Sequence, residues 1–396
     1  MSRLRTLPSS QVAARAPGYR PFGAFRFGLA MMVLVQHGLL LLLPAGRAVF
    51  YGLELGSVAV TCFFALSGFI VAEALGSFYA GRPWAFLANR VLRVVPPYLA
   101  ALALAVAMEG TLFAAGRLAP LDAPLQGAPW QPQIILSGLC EIVPGLPVWR
   151  VSGQGFSLIG FAWTLRVEFA FYLAAFGVSW LCTAIEAQQP VPAPPSLKTF
   201  RSGPRPLPRP GNGVLGHLGG LVIFAAAALA YGVFGVFLLR HGAGPRQVLC
   251  VPFFAFGVGC FLVNRRRDAL AWSHLAAVGA LVPVAFTYWG QRGHPVLAFQ
   301  LPLVCALFAV LALLTFAPRL PKRLQAIDRR LGTLSYPLYI GHGIVLVALT
   351  SLFDQRGWRL YFCGIAASLA LAACLHECTE RPIKVLRDRL RGTAIS

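Results

Sequence analysis

The sequence predicts an all-α integral membrane protein with about ten transmembrane helices. Hydrophobic residues make up 57% of the 396 residues and charged residues only 12%, which is about half the charged fraction of soluble domains. Apolar runs long enough to cross a bilayer recur along the whole chain. Each run must be helical, because lipid offers no hydrogen-bond partner for a free backbone amide.

The apolar runs define ten candidate spans. The first follows a basic segment, an order that resembles a secretory signal, but the basic segment is long and many spans follow, so we interpret it as a retained transmembrane helix. The spans cover residues 27–44, 55–76, 93–115, 158–184, 214–239, 246–264, 271–289, 296–316, 333–352 and 358–377.

The distribution of Lys and Arg predicts the orientation of these spans. If the N-terminus is cytoplasmic, 25 of the 34 basic residues lie on the inner side, eight lie on the outer side, and Arg166 lies within a span. Such a bias is what the positive-inside rule predicts, and it places both termini in the cytoplasm. The net charge of +21 is thereby explained by topology, and we expect no nucleic-acid partner.

One transmembrane domain, residues 27–377, therefore accounts for most of the chain. Residues 1–26 and 378–396 are predicted to be basic cytoplasmic segments. Residues 187–212 hold eight prolines and four basic residues, which indicates a disordered cytoplasmic linker that touches anionic lipid. The apolar piece 133–147 is too short to span and is predicted to be re-entrant or surface-bound.

A few polar residues lie inside the apolar runs, where they are costly and usually functional. His37 follows Arg26 by eleven residues, so both share a helical face and are separated by a rise of about 16 Å. An imidazole suits proton transfer near neutral pH, although a helix-packing histidine is the alternative. Arg90 and Arg93 share one face at the predicted mouth of the third span and suit phosphate, although lipid-headgroup anchoring is the alternative.

Glu168 lies about ten residues into the fourth predicted span and needs a partner there. Arg166 is two residues away and points to a different side, so His37 is the candidate partner, and a structural salt bridge is the alternative. In the second span, Ser67-Gly68 is expected to let another helix or a ligand approach closely.

The segment Ser335–His342 opens the ninth predicted span and contains a second buried imidazole, for which packing is the alternative explanation. Pro337 is expected in the first turns, where proline is tolerated. The nine cysteines form no CxxC pair, so neither a disulfide framework nor a metal site is predicted. The sequence also lacks an HExxH, a P-loop and a GxSxG motif.

In their order along the chain, these strings resemble the membrane-bound acyltransferase family 3. The resemblance covers nearly the whole sequence, with Arg166 as one departure. Its pieces are Arg26 with His37, FFALSGF at 63–69, Arg90 and Arg93 ahead of Pro96 and Tyr98, WTLRVEFAFY at 163–172, SYPLYIGH at 335–342, and Glu380-Arg381-Pro382.

The resemblance implies transfer of an acyl group, acetyl in many members, from cytoplasmic acyl-CoA to a hydroxyl of an extracytoplasmic or lipid-linked glycan. It implies a multi-pass protein of the bacterial inner membrane that uses acyl-CoA as co-substrate and holds no permanent cofactor. Arg26, Arg90 and Arg93 would hold the phosphates of acyl-CoA, His37 would act as the base, and Glu168 would orient it. The residues expected to line the chamber are Ser67, Tyr172, Tyr339 and His342.

Two other functions remain open at this level. A transporter or flippase for a glycan or small amphiphile would use the same buried charges as a substrate path. A non-catalytic membrane partner of a polysaccharide assembly complex would tolerate replacement of His37. Acyl-CoA consumption without an applied gradient separates the enzyme from the transporter.

Overall fold

The chain folds as an all-α integral membrane protein, as the composition predicts. Within the described part of the chain, seven helices are long and apolar enough to cross a membrane. The computed structural model describes residues 19–43, 54–118, 130–146, 150–151, 154–155, 158–188, 250–291, 300–318 and 320–391. The predicted span 214–239 and most of the predicted linker 187–212 lie outside these residues.

Eleven α-helices, one π-helical turn and one short antiparallel strand pair follow one another within the described residues. The elements are α1 Gly23–Leu42, α2 Leu55–Leu75, α3 Pro83–Ala114, α4 Pro132–Glu141, β1 Arg150–Val151, β2 Gln154–Gly155, α5 Trp163–Gln188, α6 Val251–Arg266, α7 Ala269–Gln291, α8 Gln300–Phe316, α9 Lys322–Leu352, α10 Trp358–Leu375, the π-helix His376–Glu380 and α11 Arg381–Arg391.

The helices that meet this criterion of length and apolar character are α1, α2, α3, α5, α7, α9 and the continuous stretch from α10 to α11. The helices α6 and α8 are shorter, with 16 and 17 residues. The orientation and the total of ten spans stay predictions. The short apolar piece near residues 133–147 forms the ten-residue helix α4.

Two helices begin earlier than the apolar runs indicate. Helix α3 starts at Pro83 rather than at residue 93, and α9 starts at Lys322 rather than at residue 333. Arginines interrupt the apolar character of both N-terminal halves, but backbone hydrogen bonding continues through them. The expectation that Pro337 lies in the first turns of its helix is therefore wrong, because it lies well inside α9.

The N-terminus of α1 is fixed against α9. The carboxylate of Asp328 accepts hydrogen bonds from the backbone amides of Gly23 (2.9 Å) and Ala24 (2.7 Å), which are free donors at a helix start. The Tyr19 hydroxyl donates to the same carboxylate. Burial, followed by this hydrogen bond, raises the pKa of Tyr19, so the hydroxyl remains a protonated donor.

Glycine allows these two helices to approach each other closely. A Cβ added at Gly23 would lie 1.8 Å from the carbonyl oxygen of Asp328, and one at Gly332 would lie 2.9 Å from the Cα of Gly23. Small residues permit such backbone contact between membrane helices. The contact fixes the height of Arg26 on α1 relative to Tyr336 on α9.

Helices α2 and α6 cross in the same manner. A Cβ at Gly68 would lie 2.1 Å from the carbonyl oxygen of Phe254, and one at Gly257 would lie 1.7 Å from that of Ala65. The predicted close approach at Ser67-Gly68 is confirmed, with α6 as the approaching helix. Ser67, the residue before Gly68 on α2, points instead to α5, where its hydroxyl donates to Glu168.

The residues just before α1 are also held by specific contacts. Arg20 Nε lies 3.2 Å from a carboxylate oxygen of Glu73 on α2. The same guanidinium donates to the carbonyl oxygen of Thr315 (2.7 Å) and to the side-chain oxygen of Asn264 (2.9 Å). One arginine therefore ties the segment just before α1 to α2, α6 and α8.

Candidate active site

A cavity lies among five helices, α1, α2, α3, α5 and α9, and seven of the nine predicted site residues line it. It encloses about 730 Å³ of empty space, part of it open to the outside. Its lining consists of Arg26, Val60, Phe63, Phe64, Leu66, Ser67, Ile70, Arg90, Arg93, Val94, Thr164, Leu165, Glu168, Tyr172, Ser335, Tyr336 and Tyr339.

Three arginines bring positive charge into this cavity. Arg26 comes from the first turn of α1, and Arg90 and Arg93 come from one face of α3. Within the described residues, none of the three guanidinium groups makes a hydrogen bond or salt bridge to another side chain. Buried cations are normally paired, so this cavity holds donors that an anionic ligand can satisfy.

Aromatic rings hold Arg90 in place. Its guanidinium carbon lies 5.2 Å from the ring centre of Phe86 and 5.4 Å from that of Tyr172, which is cation–π geometry. Arg90 is only 4% exposed, and its buried Nε has no hydrogen-bond partner among the described residues. The side chain is thus oriented by packing while its hydrogen-bonding capacity stays unused.

Glu168 lies on the cavity wall and receives two hydroxyl donors. Ser67 Oγ donates to Glu168 Oε1 over 2.8 Å, and the Tyr172 hydroxyl donates to the same oxygen. The carboxylate also interacts electrostatically with Arg26 and Arg90. No hydrogen bond joins it to His37 among the described residues, so the predicted pairing of Glu168 with His37 is wrong.

Arg166 faces away from Glu168, as the two-residue spacing predicts. Its Nε donates to the carbonyl oxygen of Glu141 (2.6 Å) and its Nη2 to that of Cys140 (3.1 Å). Both carbonyls belong to the last two residues of α4, and that of Cys140 also accepts from the backbone amide of Val143 over 3.0 Å. Arg166 therefore joins α5 to α4 and leaves the charge at the cavity unchanged.

Two further hydroxyl groups line the cavity on the α9 side. Tyr339 and Thr164 share a hydrogen bond of 2.8 Å between their hydroxyl oxygens. The Tyr336 hydroxyl donates to the backbone carbonyl of Val94 over 2.8 Å. These contacts connect α9 to α5 and to α3, so the walls of the cavity are cross-linked.

His37 is paired with a second histidine. The Nδ1 of His37 lies 2.8 Å from the Nε2 of His342, and the two rings stack with their centres 5.1 Å apart. Phe161 stacks on the imidazole of His342, with the two ring centres 4.4 Å apart. The partner of His37 is therefore His342 on α9, and not Glu168 on α5 as predicted from the sequence.

The surroundings of His342 determine which nitrogens carry protons. Its Nδ1 lies 2.8 Å from the carbonyl oxygen of Tyr339 and 3.1 Å from that of Leu338, and carbonyl oxygens only accept. The Nδ1 must therefore be protonated, which leaves Nε2 of the neutral ring as an acceptor. That acceptor binds the Nδ1–H of His37, so the Nε2 of His37 is unprotonated, and it has no hydrogen-bond partner within the described residues.

The histidine pair does not itself line the cavity. His342 is completely buried, so its predicted place in the chamber lining is wrong: it turns back onto its own helix and onto His37. Tyr339 lines the cavity, its ring lies 5.2 Å from that of Phe161, and Phe161 stacks on His342. Aromatic side chains therefore connect the cavity to the pair.

Arg26 and His37 lie near opposite ends of α1, so the arginines of the cavity and the histidine pair are separated along this helix. Arg26 lies three residues after the start of the helix and His37 five residues before its end, so His37 is about 7.5 Å from the far end. His37 therefore lies closer to the end of α1 opposite Arg26 than to the middle of the helix.

Several contributors to this region were missed by sequence reasoning. Phe161 precedes α5 and looks like any apolar residue, so no signal singles it out. Thr164 belongs to the string at 163–172 and Tyr336 to the string at 335–342; their hydroxyls inside apolar runs were the available signal.

Comparison with known proteins gives one match. A family model of the acyltransferase type 3, described as an acyltransferase domain, matches residues 22–377. No curated protein and no solved structure matches the chain significantly.

Proposed function

Because the chain belongs to the acyltransferase family 3, we propose that it transfers an acyl group, acetyl first among them, from acyl-CoA to a hydroxyl of an extracytoplasmic or lipid-linked glycan. The observation that carries the proposal is a cavity with three guanidinium groups that make no hydrogen bond or salt bridge within the described residues, in contact through aromatic rings with a histidine whose Nε2 is unprotonated.

The arginines suit the phosphates of the acyl donor. Arg26, Arg90 and Arg93 offer planar, permanently charged donors, and guanidinium groups bind phosphate oxygens in pairs. The positive-inside distribution supports cytoplasmic entry of acyl-CoA at this end. The pantetheine arm is long enough to cross about half of the bilayer, which carries the thioester toward Tyr339 and the histidines.

His37 is the base of the proposed reaction. Its Nε2 takes the proton of the acceptor hydroxyl while the hydroxyl oxygen attacks the thioester carbonyl carbon. The C–S bond breaks, and the departing thiolate takes the proton from the imidazolium, which leaves an ester and CoA thiol. His342 holds the ring by accepting its Nδ1–H, so the reacting nitrogen stays deprotonated before each cycle.

The proposed site of action is the bacterial inner membrane, with both termini in the cytoplasm. The seven apolar helices support a multi-pass protein, and 25 of the 34 basic residues fall on one side in the predicted topology. The acceptor then reaches His37 from the opposite side, where α1 ends.

The test replaces His37 with Ala in purified full-length protein reconstituted in lipid nanodiscs. The measurement is acetyl-CoA consumption with a glycolipid extract of the source strain, with no ion gradient applied. A lost general base costs about 100- to 10,000-fold in rate, whereas acetyl-CoA binding should stay intact because His37 does not line the cavity. His274→Ala, on α7, is the matched control and should keep its activity.

Full acylation of the extract by the His37→Ala protein would exclude His37 as the base. If the unchanged protein consumes no acetyl-CoA but moves a glycan when a gradient is applied, the chain is a transporter and the proposal fails.

A further inference from the structure

The C-terminal helix α11 packs against the part of α3 that carries Arg90 and Arg93. The side chain of Asn89 donates to the backbone carbonyl of Arg387 over 3.1 Å, and Arg82 Nη2 donates to that of Leu390 over 3.0 Å. These two bonds fix the backbone of α11. The helix lies beyond residue 377, where the family match ends.

The fixed backbone brings further guanidinium groups to the arginines of the cavity. Arg387 lies close enough to Arg90, Arg93 and Arg391 to interact with each electrostatically. Since like charges at short range repel, particularly with little water between them, the folded chain holds this group of cations together at a cost that some anion must offset.

Hydrogen-bonding capacity in this group is also unused. The Nε atoms of Arg90, Arg387 and Arg391 are buried and have no hydrogen-bond partner among the described residues. Arg391 reaches Asp388 at 3.8 Å and lies over the ring of Phe78 at 5.9 Å, so packing and one distant carboxylate hold it. Three donors on two neighbouring helices thus have no hydrogen-bond partner within the described residues, and Arg387 lies near both of the other arginines, whereas buried donors are normally satisfied.

The carboxylates nearby do not balance the charge. Glu380, in the π-helical turn before α11, interacts electrostatically with Arg26 and Arg387, and its carboxylate lies 3.2 Å from the ring of His376. Among the described residues, Glu168 is the other carboxylate that interacts electrostatically with the arginines of the cavity. Apart from Arg391 and its partner Asp388, the described part of the chain thus sets the four cations of Arg26, Arg90, Arg93 and Arg387 against two carboxylates.

We propose that Arg387 and Arg391 of α11 complete, with Arg90 and Arg93, a phosphate-binding site at the arginine end of the cavity. The ligand is a phosphate group, present as a monoester, a diester or a diphosphate. The nucleotide end of acyl-CoA and the headgroup of an anionic lipid both carry this chemistry. Assignment to acyl-CoA rests on the proposed function, whereas the phosphate site does not.

The experiment measures binding of free CoA to purified full-length protein by isothermal titration calorimetry in nanodiscs of phosphatidylcholine. Arg387→Gln removes one charged donor and should weaken CoA binding about tenfold, the size of one charge-assisted hydrogen bond. Arg387→Lys keeps the charge without the planar fork, so its affinity for CoA should lie between that of the unchanged protein and that of Arg387→Gln. Arg389→Gln is the matched control, since Arg389 is exposed on the same helix, and should leave affinity unchanged.

A double substitution tests whether the two helices share one ligand. If Arg93 and Arg387 contact the same phosphate groups, the combined loss in Arg93→Gln/Arg387→Gln will differ from the product of the single losses. Circular dichroism and size-exclusion profiles of each variant exclude misfolding as the cause.

A second arm identifies the source of the phosphate. Melting temperatures are compared in nanodiscs with and without phosphatidylglycerol. If Arg387→Gln abolishes stabilisation by phosphatidylglycerol and leaves CoA affinity unchanged, the site is a lipid-headgroup site. If neither CoA affinity nor lipid stabilisation changes, the proposal is overturned. If CoA binding depends on Arg387 but no acyl transfer is found, the site stands and the proposed function fails.

Discussion

Replacing His342 with Phe tests whether the second histidine acts through the first. The substitution keeps an aromatic ring against Phe161 and removes the acceptor, 2.8 Å away, for the His37 Nδ1–H. A buried donor left without a partner costs about 1–3 kcal/mol. Since 1.36 kcal/mol corresponds to a factor of ten in rate, kcat should fall about 5- to 150-fold.

The assay separates this effect from loss of donor binding. Acetyl-CoA consumption is followed with the same glycolipid extract, and the KM for acetyl-CoA should stay within about twofold, because His342 does not line the cavity. His342→Gln places an amide oxygen close to the lost nitrogen and should recover part of the rate. His274→Phe serves as the control for replacing a histidine elsewhere in the bundle.

Two outcomes would refute the reasoning about this pair. One is an unchanged kcat in a folded His342→Phe protein. The other is a double variant, His37→Ala/His342→Phe, in which the two losses multiply in full, because a residue that acts only through His37 adds nothing once His37 is gone. Nitrogen-15 NMR of labelled histidine gives an independent measurement: His37 should be protonated at Nδ1 in the unchanged protein and should lose that preference in His342→Phe.

Two further changes give separate predictions. Arg93→Gln should raise the KM for acetyl-CoA about tenfold with little change in kcat, since the lost interaction is with the phosphates and not with the reacting atoms; steady-state kinetics would contradict this if kcat alone fell. Gly23→Ala should lower the free energy of unfolding by about 1–3 kcal/mol, because its Cβ would lie 1.8 Å from the carbonyl oxygen of Asp328, whereas Gly28→Ala, with nothing within 4 Å, should be tolerated. Thermal unfolding of both variants checks this, and equal melting temperatures would contradict it.

The convergence of the cavity residues was predictable from sequence because membrane burial makes polar residues conspicuous. Arg26, Arg90, Arg93 and Glu168 are charged residues in or beside apolar runs, and each lies on the same cavity in the structure. Helical spacing also predicted correctly that Arg166 points away from Glu168. These inferences need only the sequence and the geometry of a single helix.

The partner of His37 was not predictable in this way. The prediction that Glu168 pairs with His37 used only the position of each residue along its own span, whereas the contact depends on how α1, α5 and α9 rotate and cross. Gly23 and Gly332 set the crossing of α1 and α9 through backbone contact. That contact depends on both helices, and it cannot be predicted from the sequence of either one alone.

Helix α11 was missed for a related reason. A basic, polar segment after the last apolar run has the composition of a solvated tail, and α11 is amphipathic with exposed Val385 and Leu386. Its position is set by two backbone carbonyls that accept from Asn89 and Arg82. Every residue type carries a backbone carbonyl, so these acceptors cannot be recognised from the sequence. The sequence of α11 therefore does not show where the helix packs.

The choice of a neutral partner for His37 has a chemical consequence for the proposed reaction. A carboxylate bonded to Nδ1 would stabilise the imidazolium and make His37 a stronger base, whereas His342 offers a neutral lone pair. The imidazolium formed in the proposed transfer therefore has no carboxylate bonded to it within the described residues and would return its proton readily to the departing thiolate. Glu168, bonded to Ser67 and Tyr172 and facing Arg26 and Arg90, instead offsets positive charge where the phosphates would bind. In the proposed reaction, the group around Glu168 would balance charge where the donor binds, and the histidine pair would move a proton for the acceptor.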